Sequence, residues 1–80
     1  MDSAWAWNLI RVSFRVSREL QELLPRLKEQ CSADEYKDYA RAIAGAIDSV
    51  NTALIYRALA AQPELEDRIE DELAKFGRIQ

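Results

Sequence analysis

The sequence predicts an all-α protein: a three-helix unit with a long kinked first helix, a long central second helix and a short third helix, paired into a helical-bundle homodimer. Three observations carry this expectation. Apolar residues recur at three- and four-residue steps along most of the chain. Two prolines and a serine-glutamate pair fall where helices would begin or end. Finally, a chain of 80 residues, 49% hydrophobic and 31% charged, buries too little surface to offset its ordering entropy comfortably without further support. The chain is read as a single helical domain spanning residues 1–80.

For the first helix, Trp5, Leu9, Val12, Val16, Leu20, Leu23 and Leu27 share one stripe between Ser3 and Gln30, read here as the inward face. The segment Arg11–Ser17 also alternates apolar and polar residues as a strand would, but the longer three-and-four spacing favours a helix. Pro25 has no N–H and disfavours helical geometry at Leu24, so the helix should kink there or stop and restart. Ser32-Ala-Asp-Glu35 has the form of a capping box and opens the second helix. That helix carries Tyr36, Ala40, Ile43, Ile47, Val50, Leu54 and Ala61 on a near-unbroken heptad stripe, interrupted only by Arg57. Arg57 should therefore snorkel at the bundle edge or meet a carboxylate of the third helix. Pro63 closes the second helix and starts a third, which runs to Phe76 on an apolar face of Leu65, Ile69, Leu73 and Phe76. Its acids crowd the positive end, Lys75 and Arg78 lie at the negative end, and Gly77 is a natural left-handed stop.

The support a small chain needs comes from disulfides, metal or association. Cys31 is the only cysteine and there is no histidine, so one chain can build neither a disulfide nor a zinc or histidine-carboxylate site, and no cofactor is implied. Association remains, and two features suggest where it occurs. Ala42, Ala46, Ser49, Ala53 and Ala60 form a ridge of small side chains on the second helix, which would allow close helix approach. The plainer reading is that alanine is the best helix former and another helix of the chain covers it. Trp7, Ile10 and Phe14 form a row away from the main stripe of the first helix. Either the third helix folds over that row or a partner does. Aromatics beside Arg11, Arg15 and Arg18 also resemble a membrane-surface helix. The apolar stripe nevertheless continues through Leu27 as an ordinary core face, so no membrane partner is expected.

Function classes narrow by exclusion. Without histidine the commonest general base is missing, along with every serine- or cysteine-histidine pair. The only glycines, Gly45 and Gly77, make no phosphate-cradling loop. Cys31 precedes the cap of the second helix, where it reads as a residue closing a turn rather than a nucleophile. The run Glu64, Glu66, Asp67, Glu70, Asp71, Glu72 resembles half of a carboxylate metal site, but the second helix offers only Asp48 in its long middle. Residues 1–31 carry net +1 and residues 32–80 net −4, so nucleic acid is not expected as a partner. No apolar run spans a membrane, and the start lacks a secretory pattern, so a cytoplasmic location is expected. The expected function is a non-enzymatic, self-associating interaction module. An acidic regulatory partner, antitoxin- or immunity-like, that masks a basic protein is the alternative, and a carboxylate metal-dependent hydrolase ranks third.

Overall fold

The computed structural model describes residues 1–79, which are helical over most of their length and contain no strand. Helix α1 spans Ser3–Gln30 and α2 spans Ala33–Val50. A five-residue π turn, Asn51–Ile55, joins α2 directly to α3, Tyr56–Ala61, and α4 follows at Leu65–Phe76. Because α2, the π turn and α3 run on without a gap, they act as one rod antiparallel to α1.

Each boundary has a local cause. Asp2 accepts from the Trp5 N–H at 2.9 Å and caps α1. The helix continues through Pro25, neither stopping nor restarting there. Pro25 and Gln21 are both exposed, so water can take the carbonyl that the missing N–H would have bonded. Cys31 ends α1 in extended geometry, with its N–H on the Leu27 carbonyl at 2.9 Å. Ser32 and Glu35 form the complete capping box: the Ser32 N–H donates to Glu35 Oε1 at 2.9 Å, and the Glu35 N–H donates to Ser32 Oγ at 3.2 Å. These bonds to Ser32, backbone first, hold the Glu35 carboxyl below its ordinary value of 4.5. A depressed carboxyl contributes stability above its unfolded pKa and loses it as pH falls through the folded one, so this cap weakens on acidification. Ser32→Ala is expected to cost about 0.5–2 kcal/mol in denaturant unfolding and to return Glu35 toward its ordinary titration. An unchanged midpoint would show that the cap does not hold this helix end.

The π turn decides which side of the rod faces α1. At about 100° per residue, the row Ile43, Ile47, Val50 would continue as Leu54, Arg57 and Ala61. The Tyr56 N–H instead reaches back five residues to the Asn51 carbonyl, which takes up one extra residue and rotates α3 about the rod axis. The row continues at Ile55 and Ala58, both buried, and half-buried Leu59, while Leu54, Arg57 and Ala61 are exposed. Arg57 thus leaves the core row altogether, and among the described residues it makes no ion pair. Thr52 is an exposed member of the turn. Deleting it should convert the π turn to an α turn and keep both halves of the core row in phase. The expected melting midpoint is equal to or above that of the parent, and loss of cooperative unfolding would contradict this account.

The core sits at one end of the molecule. Ala6, Trp7 and Ile10 of α1, Ala58 of α3, Leu65 and Ile69 of α4 and Ile79 form one buried cluster, with Phe14 and Leu59 packed against it. Polar bonds tie the same end, where the Ser3 hydroxyl lies 3.0 Å from Gln62 Oε1 and 3.2 Å from Glu64 Oε1. Gln62 Nε2 donates to the Met1 carbonyl at 3.0 Å. Gly77, at φ 71°, turns the chain after α4 and sends Ile79 back into the cluster.

Candidate interaction surface

The row Trp7, Ile10 and Phe14, a candidate for contact with a partner, is covered by the chain itself. Trp7 is 7% exposed, Ile10 is fully buried, and Phe14 is half-buried against the same cluster. The Arg68 guanidinium of α4 stands 4.1 Å from the centre of the Trp7 ring, a cation–π contact that closes the outer side of that residue. Two large buried residues on α1 and a helix of only 12 residues that folds over them account for the aromatics without a second protein.

The stripe read as inward has the opposite fate. Ala6, Ile10, Ser13 and Ser17 form the side of α1 toward the rod, and Ala6, Ile10 and Ser13 are buried. Trp7 and Phe14 lie roughly a quarter-turn to one side of that row, toward α4. Trp5, Leu9, Val12, Val16, Leu20, Leu23 and Leu27 lie roughly a quarter-turn to the other side, away from α4. None of them is buried; Trp5 is 63% and Leu23 47% exposed. On the antiparallel rod, Tyr39, Ala42, Ala46 and Ser49 stand on this same side and are exposed too. The two helices therefore present a joint, largely apolar face, bulky on α1 and, apart from Tyr39, small on α2, whose members are exposed or half-buried.

The ridge itself is divided by the π turn. All five of its members, Ala42, Ala46, Ser49, Ala53 and Ala60, are exposed, so neither α1 nor α4 covers them. The extra residue in the turn swings Ala53 and Ala60 toward the back of the rod, and Leu54 and Ala61 continue the line of Ala42, Ala46 and Ser49. A regular α-helical period cannot anticipate this shift. Leu54, Tyr39, Trp5 and Leu23 are surface residues that helix spacing alone assigns to a core or leaves unremarked.

The dimensions give the open face a scale. The chain measures 45 × 25 × 14 Å, with a radius of gyration of 14.8 Å, where a compact chain of this length has about 12 Å. Its accessible surface is 5765 Å², against roughly 4,900 Å² for a typical folded monomer of its 9.2 kDa mass. The helix lengths explain the excess. At 1.5 Å per residue, α4 is about 18 Å long and α1 about 42 Å, so α4 can support only one end of the α1–rod hairpin. At the other end Ile43 is the one buried apolar residue among those described.

The other candidates stay apart from this face. Cys31 is a half-buried free thiol in the α1–α2 corner. The acids of α4 are mostly exposed, Asp71 pairs with Lys75 at 3.0 Å, and among the described residues no group of three His, Cys, Asp or Glu side chains is placed to hold a metal ion. No described helix is long and apolar enough to cross a membrane. Compared with family models, curated proteins and solved structures, the chain matches none.

Proposed function

We propose that the chain is a self-associating interaction module whose working form is a two-fold dimer, made by stacking the open faces of two α1–rod hairpins into a four-helix core. The observation that carries this reading is the uncovered apolar face on the side of the hairpin away from α4. The surface in excess of a compact monomer, roughly 800 Å², equals what one partner contributes to an interface of standard size. A second copy suits the face because it is bulky on α1 and, apart from Tyr39, small on α2. Antiparallel stacking about a two-fold axis sets the leucines of α1 in one copy against the alanines of α2 in the other, where close approach adds dispersion contacts. It also supplies a third and fourth helix to the half of the hairpin that α4 does not reach, as helix bundles require.

Light scattering on the purified chain tests this directly. The expected molar mass at micromolar concentration is twice 9.2 kDa, with an unfolding midpoint that rises with protein concentration. A cooperatively folded species of single-chain mass at high micromolar concentration would rule the reading out.

A second reading, an acidic regulatory partner of a basic protein, is favoured by one feature. Glu64, Glu66, Asp67, Glu70 and Asp71 are all exposed on or beside α4. A complex of that kind would weaken steeply with salt, whereas the apolar dimer would not.

A further inference from the structure

A second surface, on the side of α1 turned away from the apolar face, concentrates positive charge in a chain of formal net charge −3. Arg11, Arg15 and Arg18 succeed one another at four- and three-residue steps and so share one face of α1. The left-handed turn at Gly77 and the burial of Ile79 bring Arg78 back to that face. These four arginines and Ile79 line one cleft of about 110 Å³. Among the described residues, few neighbours balance that charge. Arg18 reaches Glu22 at 3.9 Å through a single contact, and Arg11 is steadied by the side-chain oxygen of Asn8 at 2.9 Å. Among the described residues, no carboxylate lies within ion-pair distance of Arg11, Arg15 or Arg78. Beside the cleft, in the adjoining groove that Arg18 and Arg78 also line, the Ser17 hydroxyl is buried without a hydrogen-bond partner.

From this arrangement we infer that Arg11, Arg15, Arg18 and Arg78 form a binding site for a phosphate-type oxyanion. Guanidinium groups present paired N–H donors in a planar fork that matches phosphate oxygens, and four arginines lining one cleft suit a compact dianion better than a carboxylate with two oxygens. The volume fits the same class. At ~30 Å³ per liquid water molecule, a cleft of about 110 Å³ has room for one tetrahedral anion with a little water. Ile79 forms an apolar wall, which keeps the charges from full solvent screening.

The test is calorimetric titration of the full chain with inorganic phosphate at constant ionic strength, beside flotation with phosphatidylcholine vesicles that contain or lack phosphatidic acid. The variants are the double substitution Arg15→Gln/Arg78→Gln, at two exposed positions, and Arg41→Gln on α2 as a control outside the cleft. Saturable phosphate binding that weakens by about tenfold or more in the double variant and not in Arg41→Gln supports the site with a free phosphate group as ligand. Flotation that requires phosphatidic acid and is lost in the same double variant supports the site with a lipid headgroup as the source. Absence of both, or equal weakening in Arg41→Gln and the double variant, overturns it.

Discussion

Replacing Ile10 by alanine is expected to remove about 2–5 kcal/mol of stability, the usual cost of a large-to-small change at a fully buried site. Ile10 has no accessible surface and lies within the cluster that joins α1 to α3 and α4. For a chain of 80 residues, total stability on the order of 4–12 kcal/mol is typical, so this one substitution should remove a large fraction of it and lower the unfolding midpoint markedly. Val16→Ala provides the contrast. Val16 belongs to the stripe that helix spacing alone points inward, yet it is 38% exposed, and its truncation should cost the isolated chain well under half as much. Urea unfolding of both variants at low protein concentration separates the two rows. A larger loss at Val16 than at Ile10 would mean that the core lies on the other side of α1.

That contrast also marks how much of the fold could be read from residues. Helix ends were legible because their causes are local: Ser32 and Glu35 bond within three residues, Gly77 adopts the left-handed conformation at its own position, and Pro63 bars continuation. The inward face of α1 was not legible. Two apolar rows run along that helix, and the shorter one, Trp7, Ile10 and half-buried Phe14, belongs to the core because α4 lies over it. Row length says nothing about where a short third helix docks. Ala6, Ser13 and Ser17, small residues that let α1 approach the rod, carry too little hydrophobicity to advertise a core face. The π turn was hidden for a related reason. The sequence Asn51–Ile55 has no breaker, and only the demand to bury Ile43 and Ile55 on one line favours the extra residue. Once it is admitted, Arg57 no longer interrupts a core, and the alanine ridge divides into a part on the open face and a part behind it.

Single glutamates placed on the open face are expected to abolish the proposed dimer while sparing the folded chain. Leu23→Glu on α1 and Ala46→Glu on α2 change residues that are exposed in the single chain, so neither should cost the monomer more than a surface substitution does. In the stacked dimer each would bury a charge without a partner, at roughly 3–5 kcal/mol per uncompensated ion. Two-fold symmetry introduces the charge twice, so the dimerisation constant should fall by at least about a thousandfold. Ala44→Glu, also exposed but on the other flank of α2, should leave it unchanged. Molar mass by light scattering reports the loss, and the tryptophans give an independent reading. Trp7 is sheltered in the core and Trp5 is open, so acrylamide should quench Trp5 in the glutamate variants at every concentration, whereas in the parent that quenching should decline as dimer forms. Helical circular dichroism retained in both variants would show that the face, and not the fold, has been altered. Equal mass, quenching and unfolding midpoint in the parent, the two face variants and Ala44→Glu would mean that the leucines of α1 and the alanines of α2 meet only water.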